Sequence, residues 1–341
     1  MLNIMRLANY TTMRVGSALV GLIVPALWIA LLLSRPDEAV RIRTALIADL
    51  GEVSDFAWDP ATTPRTYLRN SGPVPKLFID AARSALTGLP EPHGTLDAAT
   101  SFARLLMSAG HRIEDPIRSD ITTSYHGIVG DGRGYCADFV QVFNGLGIAG
   151  AIPVRDWGFA FDAFGSGHAF NEVFDETRHK WVMVDSFHSL LFVDPGTREP
   201  LSVMEVHDRL LRLDRQHNEP EIQRIVAARF PFRSDALALE YYRRGMPQLF
   251  LVWGNNVFDY ESAVPVRAMR HVSRSAEQLV GILFGLRPRV RIYPLGLSER
   301  DLIELRSHGR EFLLALALQL LALFFCGLQA YAALRARTTG K

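Results

Sequence analysis

GYCADFVQVFNGLGIAGAIPVRDWGFAF (residues 134–161) and HAFNEVFDETRHKWVMVD (residues 168–185) are the two stretches on which the fold of this 341-residue chain turns. In the first, Phe139, Val140, Phe143 and Leu146 recur at helical spacing. A helix is therefore expected over 137–146, ended by Gly145 and Gly147, with a strand following over 152–161. In the second, apolar and polar residues alternate over 168–174 and again over 181–185, and the polar run DETRHK separates them. That is the pattern of a β-hairpin. Cys136 opens the helix, His168 opens the hairpin after Gly165-Ser166-Gly167, and Asp185 closes it.

The order of these three residues carries chemistry. A helix N-terminus offers partial positive charge and unpaired N–H groups, which favour a thiolate and serve equally as oxyanion donors. A histidine beside the thiol takes its proton, and a carboxylate orients the histidine. A turn over 176–179 sets His168 opposite residue 185 or 187. In either register His168 and Asp185 share one sheet face, and the helix is expected to bring Cys136 over that face. Taken singly, each residue has an ordinary explanation: a small buried thiol, a loop histidine, a turn-forming aspartate. The ordered set is far more specific than its members.

Gly134-Tyr135-Cys136, Ala151-Ile152-Pro153-Val154-Arg155, His168-Ala169 and the run from Trp181 to Asp185 together resemble the core of the transglutaminase-like superfamily. The resemblance is close over 134–185 and looser over 76–200. It implies a papain-like α+β fold, with the cysteine helix packed on an antiparallel sheet. It also implies catalytic roles: Cys136 as nucleophile, His168 as general base and then acid, Asp185 as orienter. The chemistry would be acyl transfer through a thioester, with hydrolysis of an amide or peptide favoured over transamidation. Phe170 stands where the family often has Trp, a conservative departure. Tyr125 and His126 are the candidates for an upstream oxyanion-hole side chain. No cofactor is implied.

Both ends of the chain are apolar. Residues 15–33 run 19 positions without a charge, and residues 312–334 run 23 with only Gln319 and Gln329 strongly polar. Each is long enough to cross about 30 Å of hydrocarbon as a helix. Ser34-Arg35-Pro36-Asp37 makes a poor signal-peptide cleavage site, so the first is read as an uncleaved anchor. Arg6 and Arg14 before the first span, with Arg335, Arg337 and Lys341 after the second, place both tails in the cytoplasm. The expected plan is a cytoplasmic tail (1–14), a span (15–33), a linker (34–75), a transglutaminase-like domain (76–200), a mostly helical extension (201–310), a span (311–334) and a second tail (335–341). The soluble part would face the periplasm from a bacterial inner membrane. The scarcity of lysine (only Lys76, Lys180 and Lys341) suits a GC-rich bacterial genome.

Within that plan, helices are expected over 76–86, 95–109 (with Thr95 as N-cap), 201–213 and 219–228. Segments 51–75 and 110–134 are expected to be irregular. A net charge of +1 excludes a bulk electrostatic case for nucleic acid. Two cysteines in different settings, Cys136 and Cys326, exclude a disulfide framework and a cysteine zinc site. His126, His168, His179 and His188 lack metal-ligand spacing, so no metal is expected. Arg287, Arg289 and Arg291 form a basic run that suits lipid headgroups or, equally, a solvated loop, and Trp253-Gly254-Asn255-Asn256 suits a turn. The partners implied are the membrane and an envelope substrate: a protein, a peptide or a polysaccharide-linked group. The alternative is a non-catalytic module of the same fold in an envelope or exopolysaccharide assembly complex.

Overall fold

A computed structural model describes residues 20–90, 93–110, 112–117, 119–211 and 219–339 of the chain. Within them the structure is mixed α+β. The predicted hairpin is present. β3 (Val154–Ala160), β4 (Gly167–Asp175) and β5 (Lys180–Val184) form an antiparallel meander. Asp175 pairs with Lys180 across the turn, and Asn171 with Val184. Continuing that register sets Phe170 opposite Asp185 and His168 opposite Phe187, the second of the two registers expected.

The sheet is larger than the sequence reading placed it. β1 (Ala48–Leu50) and β2 (Leu68–Arg69) come from the segment read as linker. β8 (Leu249–Asn255) and β9 (Arg289–Ile292) come from the segment read as a mostly helical extension. The order is β1-β9-β8-β3-β4-β5, with β2 also paired to β8. A separate pair joins β6 (Leu190–Val193) to β7 (Glu221–Arg224). A helix was expected over 219–228, but Glu221–Arg224 is drawn into that pair because β6 offers it a ladder. Trp253-Gly254-Asn255 is not a turn but the end of β8. These strands are short or fall where apolar alternation is broken, so their pairing partners decide them rather than their own sequence.

Each face of the sheet is buried. Val154, Val173, Val182 and Val184 pack against the helices Lys76–Leu86, Thr95–Leu106 and Cys136–Ala149. Trp157, Phe159, Phe170 and Met183 point the other way. They are covered by the helices Val203–Leu211 and Asp235–Gly245 and by Phe56, Trp58 and Tyr67. Burying one such aromatic or aliphatic side chain contributes about 1.5–3 kcal/mol.

The cysteine helix does not stop at Gly145 and Gly147 but continues to Ala149, where Gly150 caps it. A Cβ on Gly145 would sit 2.7 Å from the Phe78 ring, and one on Gly147 2.4 Å from Val154 Cγ2. These glycines mark close approach of the helix to its neighbours, worth the roughly 1 kcal/mol each costs in helix propensity. The second helix starts with Gly94 rather than Thr95 as its N-cap and ends at Leu106. The stretch expected to be irregular contains a helix, Ile121–Val129, capped by the Asp120 carboxylate accepting from Thr123 N at 2.9 Å.

Of the described residues, 20–46 and 302–339 form a second compact unit. Among the described residues one helix, Glu299–Thr339, is long and apolar enough to cross a membrane. Its apolar part lies within the 34 residues Glu299–Ala332, few of which are buried. The helix begins well before residue 311, so a polar stretch, 299–311, leads directly into the apolar one. Val20–Ser34 is helical and meets the next helix, Pro36–Ile47, at a 101° bend. Proline at 36 removes the amide that would continue the first helix. Residues 1–14 with Arg6 and Arg14, the first part of the expected span at 15–33, and Lys341 lie outside the described residues. Inside this unit Trp28 Nε1 donates to Glu311 Oε1 at 3.1 Å, and His308 pairs with Glu38 at 3.0 Å.

Candidate active site

Cys136 is the first residue of its helix, and the chain leading to it is clamped. Gly132 and Gly134 take φ values of +65° and +136°, which glycine adopts without strain. Ile113 N donates to Gly132 O at 2.7 Å and Gly134 N to Ile113 O at 3.1 Å, tying this loop to the segment that carries Arg112. The Asp138 carboxylate accepts from Tyr135 N at 2.9 Å and Ile117 N at 3.2 Å, closing the first turn. Asp138 N and Phe139 N already donate to Tyr135 O at 2.9 and 3.1 Å, so the oxyanion donors that the helix start can offer are the amides ahead of them, at Cys136 and Ala137. Cys136 itself is only partly buried.

The helix packs on the face opposite to the one expected. Its underside meets Val173, Val182 and Val184, while His168 shares its face with Phe159, Phe170 and Tyr242. The reason is a buried polar weave. Asn171 Nδ2 reaches Asn144 Oδ1 at 2.9 Å and Asp156 Oδ1 at 3.1 Å, and Asn144 Nδ2 donates to Asp156 Oδ2 at 2.6 Å. Gln141 Nε2 adds 3.2 Å to the same carboxylate. Burial pushes Asp156 up to about 7, against the pull of these amides. The cysteine thus meets His168 from the helix tip, at the start of β4, rather than from above its face.

The structure brings Cys136, His168 and Asp185 together. His168 Nε2 lies 2.5 Å from Asp185 Oδ2, leaving Nδ1 as the ring nitrogen for the thiol. Burial alone would depress His168. The Asp185 carboxylate and hydrogen bonding with Cys136 outweigh it and raise the histidine to about 9, so the imidazolium persists at neutral pH. Burial likewise opposes the Asp185 charge, but His168 and His188 hold that carboxyl well below the usual range.

Two further residues complete the network. Asp185 Oδ1 accepts from the His188 backbone N–H at 2.8 Å. The Tyr242 hydroxyl donates to Asp185 Oδ2, and His188 Nδ1 lies 2.9 Å from that hydroxyl. The His188 ring stacks on His168, with centroids 4.2 Å apart. Burial and the His168 charge push His188 down to about 4, so it is neutral where His168 is charged. Tyr242 is buried and held well above its ordinary value, first by burial and then by Asp185, so it stays a donor. Sequence reasoning considered His188 only as a metal ligand. Tyr242 lies on the Asp235–Gly245 helix, outside the motif-bearing segment, and carries no local signal.

Other candidates fall elsewhere. The Tyr125 ring packs on Phe78 at 5.6 Å and His126 on Tyr125 at 5.5 Å. Arg289 and Arg291 pair with Asp49 and Asp55. The donor atoms of His168, Asp185 and His188 all lie within 4.8 Å of one another, a set capable of approaching a cation. His168 Nε2 and Asp185 Oδ2 stand 2.5 Å apart as hydrogen-bond partners, whereas two ligands on one tetrahedral zinc stand about 3.3 Å apart. In comparisons with known proteins, the chain matches no family model, no curated protein and no solved structure.

Proposed function

We propose that this chain is a cysteine-dependent acyl-transfer enzyme of transglutaminase-like, papain-like design. The observation that carries the proposal is the His168–Asp185 pair at 2.5 Å, with the helix-opening Cys136 as the other partner of the same imidazole. The Cys136 thiolate adds to an amide carbonyl, and the oxyanion is met by the opening amides of the helix. The C–N bond breaks as His168 gives its proton to the departing amine, leaving a Cys136 thioester. Water or a second amine, deprotonated by His168, then attacks the thioester carbonyl, and the C–S bond breaks to release the acyl group and restore the Cys136 thiolate beside the His168 imidazolium. Asp185 holds the imidazole in register throughout.

The substrate belongs to the cell envelope, and the domain faces the periplasm from a bacterial inner membrane. The apolar Glu299–Thr339 helix supports one anchor, and the apolar 15–33 segment supports the second. Acylation with p-nitrophenyl acetate tests the chemistry without the native substrate. The expected result is a burst of one nitrophenolate per chain that vanishes in Cys136→Ala. No burst from folded protein would favour a non-catalytic module of an envelope assembly complex.

A further inference from the structure

Arg112 lies near enough to Cys136 to feel the charge of its thiolate, and the acyl-transfer cycle does not use it. The segment that carries it is bonded to the Gly132–Gly134 approach of Cys136. Its guanidinium carbon stands 3.5 Å above the Phe187 ring, and that ring in turn lies 5.9 Å from His168. Nη1 donates to Phe187 O at 2.9 Å, which fixes the plane of the group. Nη2 donates at 2.8 Å to Glu114, whose side chain is 60% exposed. Nε is buried and has no acceptor among the described residues. An arginine donates through a planar fork that matches a carboxylate. Here one prong holds a solvent-facing, displaceable carboxylate and the neighbouring prong holds none. A buried donor without a partner is costly unless a ligand supplies the acceptor. On the other side of the histidines, the Tyr241 ring lies 5.8 Å from His168 and 5.4 Å from His188.

We propose that Arg112 forms an anion subsite beside Cys136 that receives a carboxylate carried by the acyl substrate, displacing Glu114. The proposal rests on the acyl-transfer reading for the role of the thiol. The class of substrate it selects is an amide bearing a nearby carboxylate. Both an acidic peptide and a uronic-acid glycan offer that group. The charge of Arg112 is opposed by burial and sustained by Glu114, Asp185 and Cys136, which fits a cation facing the reacting group.

Two near-isosteric alkylating agents read the subsite directly. Iodoacetate carries a carboxylate where iodoacetamide carries an amide. The ratio of their rates at Cys136, measured on the full-length protein at pH 7, is expected to fall roughly tenfold in Arg112→Gln, with Arg112→Lys between the two. A merely structural arginine would leave the ratio unchanged, and one that acts only through its charge would leave Arg112→Lys with the wild-type ratio; either result overturns the proposal. A second arm removes any dependence on thiol reactivity. Cys136→Ala protein is heated with N-acetylglutamate or with glucuronate, beside Cys136→Ala, Arg112→Gln. A melting-temperature rise with the first alone, lost with Arg112, places the carboxylate on a peptide. A rise with glucuronate alone places it on a glycan. No rise with either, or equal rises without Arg112, overturns the subsite even if the thiol proves reactive.

Discussion

Asp156 and Asp185 are both buried, on opposite faces of one sheet, and their surroundings drive them in opposite directions. Asp156 is held by the neutral amides of Gln141, Asn144 and Asn171, which cannot offset the loss of water, so its proton is retained up to about 7. Asp185 is equally buried but stands against His168, and it remains ionised. Burial therefore does not decide the charge of a carboxylate; the partner does. The division has a structural use. The Asp156 face fastens the helix that carries Cys136, and the Asp185 face fastens the histidine. Strand β4 carries Asn171 on one side and His168 on the other, so a single strand locks both halves of the site.

The sharpest way to break the contrast is to make Asp185 as neutral as Asp156. Asp185→Asn keeps the shape and removes the charge that sustains the His168 imidazolium. Alkylation of Cys136 at pH 6 is expected to fall steeply, by up to roughly 10⁴-fold, the drop in turnover that follows loss of the orienting carboxylate in a Ser-His-Asp triad. Circular dichroism would check that the variant is folded.

A smaller effect is expected from Tyr242→Phe, which deletes one hydrogen bond to the buried carboxylate. Stability should drop by about 1.5–3 kcal/mol in denaturant titration. Alkylation should slow by no more than about tenfold, since the His168 contact survives.

The mildest change lies on the other face. Asp156 has a raised pKa in the fold, so the folded state holds its proton between pH 3.8 and about 7 while the unfolded chain has lost it. Its contribution to stability therefore falls as pH rises through that window. His188 titrates in the opposite sense over part of the same range, so the difference between wild type and Asp156→Asn is the quantity to measure. The variant should gain on the wild type from pH 4 to pH 7 and run parallel above it.

Much of this was legible in the sequence because local period and motif agreed. The Cys136 helix, the 168–185 hairpin and the shared face of His168 and Asp185 all followed from alternation and spacing. What escaped has a common cause. Tyr242 and His188 act only through tertiary contact, and neither belongs to a spacing that local chemistry requires. β8, β9, β1 and β2 owe their pairing to partners far along the chain. Gly145 and Gly147 read as helix stops because their real purpose, room for Phe78 and Val154, is invisible in one dimension. The helix lies on the Asn171 face rather than the His168 face because a buried amide weave, unmarked by any motif, fastens it there.

The central claim is that His168 activates Cys136, and the most direct measurement is the rate of Cys136 alkylation by iodoacetamide from pH 4 to 9. It would compare the detergent-purified wild type with His168→Ala, using Cys136→Ala to subtract labelling of Cys326. The account predicts rapid labelling of Cys136 below pH 7 that collapses without His168. Labelling that climbs only near pH 8.5, about where an ordinary thiol ionises, and that is indifferent to His168, would contradict it.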